Sequence, residues 1–189
     1  MVDWTTITHM SRGTEVQRNA SRIIRSYGLL EKLKPFRPAV VGTIPIAIDI
    51  PGSDLDIACE VEDFAYFEQT VREVFGHHEM FGYSYRSAEP PRAERAVVRF
   101  CCDGLPIEIY GEQTPVERQN GFIHMVVEAR LLQLFGDPVR IAVLAKKRAG
   151  LKTEPAFADY FGLEGDPYQA LLELAKEPDE RLIQMLAGR

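Results

Sequence analysis

Apolar residues near the start of the chain recur every three or four positions, which predicts an amphipathic helix. Thr14 and Gln17 have the spacing of a capping box, so this helix is expected to follow Thr14 and to end near Gly28. A second helix is expected between Asp63, as its N-cap, and Gly76. The apolar positions are Val16, Ala20, Ile23, Ile24 and Tyr27 in the first helix, and Phe64, Phe67, Val71, Val74 and Phe75 in the second.

Elsewhere in this part of the chain the pattern changes to short apolar runs and alternation, which are typical of strands. Asp103-Gly104 is the strongest hairpin signal, because both residues tolerate the positive φ angles of a two-residue turn. Residues 44–50 also alternate in a strand-like way. The predicted strands are residues 39–41, 55–61, 81–86, 96–102 and 105–110.

From residue 114 onward only helical patterns occur. Thr114 and Glu117 form a second capping box, and two Asp-Pro pairs farther along predict two more helix starts. The chain is therefore expected to be an α+β protein. Residues 1–113 are predicted to form a mixed sheet with flanking helices, and residues 114–189 to form an all-helical part packed on that core.

Composition and charge narrow the classes of function. Hydrophobic residues make up 46% of the 189 positions, so the chain is able to bury a core. The net charge of −6 argues against long nucleic acid or an anionic membrane as a partner, since both require a basic surface. Three cysteines are too few for a disulfide framework and favour reduced thiols in a cytoplasmic protein. No secretory signal or apolar run of membrane-spanning length occurs, so no membrane association is expected.

Two short motifs, separated by residues 44–53, carry candidate chemistry. Gly42 and Thr43 follow an apolar run, and a glycine there allows a phosphate to approach main-chain N–H groups. Asp54 and Asp56 point to the same face if they lie on a strand, where their repulsion favours a bound cation such as Mg²⁺. Glu108 lies between two isoleucines on a predicted strand, and a carboxylate in that position requires a partner.

The order of these motifs resembles the nucleotidyltransferase superfamily typified by DNA polymerase beta. That superfamily has a glycine motif, then an Asp-apolar-Asp motif after a short gap, then a third carboxylate on a later strand. Thr43 stands where the superfamily has glycine or serine, so it keeps a hydroxyl group but adds a methyl group. The chain resembles still more closely a bacterial family known as domain of unknown function 4269, in the stretches GTIPIAIDIPGSDLDI, QNGFIHMVVEAR and GLKTEPAFADYFGLEGDPY.

The resemblance implies that Asp54, Asp56 and Glu108 are the catalytic residues and that they hold two Mg²⁺ or Mn²⁺ ions. One ion would lower the pKa of the acceptor hydroxyl, and the other would stabilise the leaving pyrophosphate. Glu108 would bind the ion on the nucleophile side. The residues expected to contact the nucleotide phosphates are Gly42, Thr43, Ser53 and Lys152.

Other polar residues have two interpretations. Lys146 and Lys147 are candidates to neutralise phosphate, but solvated lysines at the end of a helix are an equally good interpretation. Lys152 is the stronger candidate of the three lysines. His124 and Glu128 lie one helical turn apart, so they either contact the acceptor or base or form a structural hydrogen-bonded pair.

The main functional hypothesis is a metal-dependent nucleotidyltransferase that moves an NMP group from an NTP to an acceptor hydroxyl. A small molecule, a protein hydroxyl and an RNA end all remain open as the acceptor. The alternative is a non-catalytic nucleotide-binding or protein-interaction module on the same fold. The presence of all three carboxylates favours the enzyme, because an acidic cluster is costly to keep without a function.

Overall fold

The computed structural model describes residues 2–89 and 93–187, which divide into two compact units. The first unit combines helices with a five-stranded sheet, and the second is helical. The α+β class and the helical C-terminal part are therefore as expected from the sequence. Within the described residues, the first unit contains residues 2–47 and 52–119, and the second contains residues 48–51 and 120–187. A functional division at residue 113 stays a prediction.

In the first unit, the strand order of the sheet is β1-β2-β5-β4-β3. Strands β2 and β5 run parallel, and the other neighbouring strands are antiparallel. Helices pack on one face of this sheet through buried apolar side chains. The elements are α1 (Glu15–Ser26), α2 (Leu29–Lys32), β1 (Ala39–Val41), β2 (Leu55–Glu60), α3 (Phe64–Phe75), β3 (Glu79–Arg86), β4 (Arg95–Cys102) and β5 (Leu105–Glu112).

Local sequence signals predicted several of these elements. Thr14 and Gln17 form the capping box of α1, and Asp63 caps α3 by accepting from the N–H groups of Ala65 and Tyr66. The hairpin between β4 and β5 turns at Asp103-Gly104, whose φ angles are 49° and 76°. This hairpin fixes the register of β4 against β5, which matters for the site described below.

The expected strand-like stretch at residues 44–50 is wrong, because residues 43–47 form turns. The buried side chain of Gln17 donates from Nε2 to the carbonyl oxygens of Ile44 at 2.9 Å and Pro45 at 2.8 Å. Pro45 has no N–H to donate to a strand ladder, and Ala47 has a φ angle of 56°. The alternation therefore reflects burial of isoleucines around turns and not strand pairing.

The capping box predicted at Thr114 does not begin a long helix. A short 3₁₀ helix spans Val116–Arg118, and then Gln119 is extended. The buried Gln119 amide donates to the carbonyl oxygens of Cys59 and Thr114, at 2.9 Å and 2.8 Å. A side chain therefore satisfies the Thr114 carbonyl, which in a continuing helix would accept from a backbone N–H.

The second unit consists of helices connected by short turns, together with the segment Ile48–Pro51. Arg130 contacts the C-terminal end of this unit. It donates hydrogen bonds to the carbonyl oxygens of Ala175 at 3.2 Å and Glu177 at 2.6 Å, and also to Asp179. Across residues 2–89 and 93–187, no helix has the length and apolar character needed to cross a membrane. The helices are α4 (Asn120–Phe135), α5 (Asp137–Arg148), α6 (Thr153–Phe161), α7 (Pro167–Ala175) and α8 (Asp179–Leu186).

Candidate active site

The candidate site is a row of residues that crosses four strands of the sheet. Val41 on β1 is the Cα partner of Asp56 on β2, which is the partner of Glu108 on β5, which is the partner of Arg99 on β4. Cα partners on neighbouring strands point their side chains to the same face of a sheet. Asp56, Glu108 and Arg99 therefore share a face. Their neighbours in sequence lie in the apolar core on the opposite face: Leu55, Ile57, Val98, Phe100, Ile107 and Ile109.

Gly42 lies directly against Asp56. The φ angle of Gly42 is 80°, in the region that favours glycine. A Cβ atom at this position would lie 2.2 Å from Asp56 Oδ2, so any side chain larger than hydrogen collides with the carboxylate. The glycine motif and the Asp-apolar-Asp motif therefore meet in the folded protein. Thr43 follows in a turn and is half-buried.

The three predicted carboxylates differ in their surroundings. Asp54 immediately precedes β2 and is half-buried, whereas Asp56 and Glu108 are paired in the strand register. Within the part of the chain that the structure describes, no three His, Cys, Asp or Glu side chains are grouped as a metal site. The structure thus brings Asp56 and Glu108 onto one row, and the joint role of all three carboxylates stays a prediction.

Glu108 has a partner that the sequence interpretation missed. Arg99 Nη2 lies 2.5 Å from Glu108 Oε2, and the two side chains are 63% and 26% exposed. The pairing was accessible from sequence, because positions 99 and 108 are equally distant from the Asp103-Gly104 turn and a two-residue loop pairs such positions. Arg99 satisfies the expectation that a carboxylate between two isoleucines requires a partner.

Two predicted phosphate ligands have simple environments. Ser53 is half-buried in the first unit, just before Asp54. Lys152 belongs to the second unit, where it is exposed and directly precedes α6. Contact of either residue with phosphate stays a prediction.

The second unit contains a buried polar cluster, formed by His124, Glu128, Lys147 and Glu154. His124 Nδ1 lies 3.4 Å from Glu154 Oε1, and its Nε2 is 3.0 Å from the carbonyl oxygen of Tyr168. A carbonyl oxygen only accepts, so His124 Nε2 carries a proton. His124 is only 6% exposed. Its predicted contact with an acceptor substrate is untested.

Glu128 is the most enclosed acid of this cluster. Its side chain is 3% exposed, and among the described residues its Oε1 has no hydrogen-bond partner. Burial raises the pKa of Glu128 well above its ordinary value, and the charge of Glu154 raises it further, against a lowering effect of Lys147. Burial also raises the pKa of Glu154, but the hydrogen bond and charge of His124, together with Lys147, outweigh it and leave a lowered value.

The two lysines near the end of α5 have different environments. Lys147 is only 6% exposed and donates from Nζ to the carbonyl oxygen of Ile48 at 2.6 Å. The interpretation of Lys147 as a solvated lysine is therefore wrong. Lys146 forms an ion pair with Asp159 and remains partly exposed.

The chain is similar to one family and to several solved structures. The model of the family described as domain of unknown function (DUF4269) matches residues 22–174. No curated protein matches the sequence significantly. A cytoplasmic RNA terminal U-transferase matches with a TM-score of 0.50 and 12% identity, over 83% of this chain and 45% of that one.

Two further solved structures have the same fold. The RNA terminal uridylyl transferase Cid1 matches with a TM-score of 0.52 and 12% identity, over 83% of this chain and 47% of that one. A chain of the GLD-2/RNP-8 complex matches with a TM-score of 0.54 and 13% identity, over 85% of this chain and 65% of that one. This chain thus spans about half to two thirds of their lengths. At these identities the likeness shows the fold alone, which this chain shares with the two terminal transferases and with the chain of the GLD-2/RNP-8 complex.

Proposed function

The chain belongs to the family of domain of unknown function 4269, and we propose that it is a metal-dependent nucleotidyltransferase that moves an NMP group from an NTP to an acceptor hydroxyl. The nucleotidyltransferase fold supports an NTP-using transferase. Fold alone does not determine activity, so the proposal depends on the site.

One observation carries the proposal: Gly42 lies against Asp56, and Asp56 shares its register with Glu108. Because position 42 has no Cβ atom, the Asp56 carboxylate lies directly against the backbone, and a phosphate held by the main-chain N–H groups of Gly42 and Thr43 would lie close to that carboxylate. The second carboxylate on the same face completes a surface of hard oxygen donors. This arrangement favours phosphoryl chemistry over the many other uses of an exposed sheet face.

The donor chemistry of these residues fits a divalent metal ion, although no three of them are grouped as a metal site in the part of the chain that the structure describes. Asp54, Asp56 and Glu108 supply carboxylate oxygens, which are the ligands that Mg²⁺ and Mn²⁺ prefer. Arg99 contacts Oε2 of Glu108, and a carboxylate has a second oxygen available for a ligand. When bound, divalent ions at these residues supply positive charge to the triphosphate and activate the acceptor hydroxyl.

Each protein group has a proposed role. The main-chain N–H groups of Gly42 and Thr43, with the Thr43 hydroxyl, donate to the β and γ phosphates. Glu108 accepts the proton of the acceptor hydroxyl as that oxygen attacks the α-phosphate, and pyrophosphate leaves. Ser53 and Lys152 add a hydroxyl group and a positive charge to the phosphate contacts.

The proposed acceptor is a hydroxyl group on a small molecule, a protein or an RNA end. Two of the matched structures are RNA terminal uridylyl transferases, and this supports an RNA end as one candidate. The net charge of −6 argues against a long nucleic acid, because phosphate backbones are bound by clusters of Lys and Arg.

Two measurements test the proposal. Thermal unfolding with Mg²⁺ or Mn²⁺ and each NTP should show stabilisation of about 2.7 kcal/mol when the ligand is at about a hundred times its Kd. Incubation with each α-labelled NTP and a cell extract should then transfer label to the acceptor. Unchanged unfolding at millimolar metal and nucleotide would contradict the proposed function.

The ion pair between Arg99 and Glu108 favours a second candidate, the non-catalytic nucleotide-binding module. An arginine that holds Glu108 competes with a metal ion for the same carboxylate. If this competition persists with nucleotide bound, the protein binds NTP without transferring it. Stabilisation by metal and NTP without label transfer to any acceptor in the extract would favour this second candidate.

A further inference from the structure

The segment Ile48–Pro51 connects the two halves of the candidate site but belongs to the helical unit. The chain leaves the first unit after Ala47, shortly after Gly42 and Thr43, and returns to it at Gly52, shortly before Asp54. The two motifs are therefore joined through a segment whose contacts are made by the other unit. Whatever fixes this segment also limits the conformations of the residues on both sides of it.

Lys147 fixes the segment at its first residue. Its Nζ donates to the carbonyl oxygen of Ile48 at 2.6 Å, within the range of charge-assisted hydrogen bonds. Ile48 is fully buried and Lys147 is 6% exposed, so water does not compete strongly for this contact. A buried ammonium group is costly unless it is hydrogen-bonded and compensated by negative charge.

The compensating negative charge is that of Glu154, whose carboxyl has a lowered pKa, whereas the raised pKa of Glu128 favours the neutral form of that carboxyl. Lys147 interacts electrostatically with both Glu128 and Glu154, and lowers the pKa of each carboxyl. An apolar side chain of similar length would avoid the free-energy cost of burying an ammonium group, but it would not donate a hydrogen bond. Its contact with Ile48 holds a backbone carbonyl oxygen at the point where the chain has left the sheet unit.

A second side chain fixes the connection closer to its start. Gln17, in the first unit, donates to the carbonyl oxygens of Ile44 and Pro45. The path between the motifs is thus held twice, once by an amide within the sheet unit and once by an ammonium within the helical unit. Pro51 and Gly52, which follow, are exposed.

We infer that Lys147 is a positioning residue for the nucleotide site: by holding Ile48, it limits the conformations of the connection between Gly42-Thr43 and Asp54–Asp56. This inference rests on the proposed function for its effect on nucleotide affinity. Its structural part, the anchoring of the segment, is independent of any ligand and is measured separately.

The test compares Lys147→Met with Arg130→Met. Arg130 is a matched control, because it also donates to backbone carbonyl oxygens within the helical unit, at Ala175 and Glu177, but not to the segment. Two quantities are measured on the folded variants of this chain: amide hydrogen exchange in peptides that cover residues 46–56, and the Kd of Mn²⁺-ATP by calorimetry.

Lys147→Met should exchange about tenfold faster in residues 46–56, since it loses a hydrogen bond to a charged donor. It should also bind Mn²⁺-ATP about tenfold more weakly, the usual effect of losing a group that orients ligand-bearing residues. Arg130→Met should lose thermal stability without either change. Unchanged exchange in Lys147→Met, or faster exchange with unchanged Kd, would overturn the inference.

A double variant keeps the test valid if Lys147→Met does not fold. Lys147→Met/Glu154→Gln also removes the carboxylate that would lose the counter-charge of Lys147, so folding should recover while the contact with Ile48 stays lost. The double variant should still show fast exchange in residues 46–56, and slow exchange would overturn the inference. If the unmodified protein binds no nucleotide, the proposed function fails, and hydrogen exchange alone decides whether Lys147 anchors the segment.

Discussion

The sheet face and the helical unit both contain acidic and basic side chains, but in opposite environments. Glu108 and Arg99 form a pair that is 26% and 63% exposed. Glu128 and Lys147 are 3% and 6% exposed and belong to a buried cluster. The same residue types are accessible to a ligand in the first region and enclosed by protein in the second.

This difference in exposure suits the two regions to different functions. An exposed ion pair contributes little to stability, about 0–1 kcal/mol, so it breaks or shares its charge at small cost when a ligand arrives. A buried ionisable group loses its hydration, and its free energy is then set by its protein neighbours. The sheet face is therefore suited to binding and chemistry, and the buried cluster to maintaining one conformation.

The largest expected effect is loss of transfer in Asp56→Asn. The amide removes a charged oxygen from the candidate metal site, and the loss should exceed about a hundredfold, the upper range for groups that only orient metal ligands. Single-turnover label transfer measures it. Asp166→Asn, the same change at the N-cap of α7 in the helical unit, is the control and should keep full activity. An unfolded Asp56→Asn variant would instead make Asp56 a structural residue.

Gly42→Ala should destabilise the protein and prevent nucleotide binding. Gly52→Ala is the matched control, because both glycines have positive φ angles, 80° and 89°, but only Gly42 faces a neighbour within 4 Å. Each alanine should cost about 1–3 kcal/mol of backbone strain. Only Gly42→Ala should also displace Asp56 and abolish stabilisation by metal and NTP. Equal loss of nucleotide binding in both variants would contradict the close approach at Gly42.

Glu128→Gln should change how stability depends on pH. The folded state holds the Glu128 proton more tightly than the unfolded state, since burial raises its pKa from the ordinary value of 4.5. The free energy of unfolding therefore falls as pH rises above 4.5 towards the folded-state pKa, by up to about 1.4 kcal/mol per pH unit. The glutamine variant should remove this decline in denaturant titrations between pH 5 and pH 8.

Glu154→Gln is the control with the opposite sign. The pKa of Glu154 is lowered in the folded protein, so its carboxylate stabilises the fold above its ordinary value of 4.5 and the effect is lost as pH falls through the lowered pKa. Replacing Glu154 should therefore weaken the protein at neutral pH. Parallel pH profiles for the two glutamine variants would contradict the assigned difference between the two acids.

The smallest expected effect on stability is that of Arg99→Ala. Because the pair with Glu108 is exposed, the loss should stay below about 1 kcal/mol. Release of Glu108 from its competitor should strengthen binding of Mn²⁺ alone, measured by calorimetry. Arg22→Ala is the control, since Arg22 pairs with Asp103 at 3.0 Å in the same unit and should leave Mn²⁺ affinity unchanged. Weaker Mn²⁺ binding in Arg99→Ala would mean that Arg99 supports the site.

Structural elements that are determined by residues close together in sequence were predictable. The capping boxes and N-caps at Thr14 and Asp63 depend on residues within one helical turn, and the Asp103-Gly104 turn depends on two φ angles. The pairing of Arg99 with Glu108 followed from that turn but needed the register to be counted outward from it. The sequence interpretation therefore identified Glu108 but missed Arg99, although the register determined their pairing.

Features that depend on side chains distant in sequence were not predictable from local sequence patterns. The turns at residues 43–47 depend on Gln17, and the extended Gln119 depends on carbonyl oxygens of Cys59 and Thr114. Helical spacing placed His124 and Glu128 on one face, but periodicity does not show which other helices enclose that face. Burial of Glu128 arises from the packing of the unit, which a single sequence pattern does not encode.

Because Ile48–Pro51 belongs to the helical unit, neither unit is encoded by one continuous stretch of sequence. This affects how the units could be exchanged by recombination with those of related proteins. Where two domains are joined by a single linker, one recombination crossover in that linker exchanges a whole domain, and each domain keeps its internal contacts. Here a crossover after Gln119 would combine the helices of a related protein with the Ile48–Pro51 segment of this one. The hydrogen bond from Lys147 to Ile48 would then be lost unless the related protein has an equivalent donor. An exchanged helical unit therefore has to supply its own donor for the carbonyl oxygen of Ile48, whatever the side chains of residues 48–51 are.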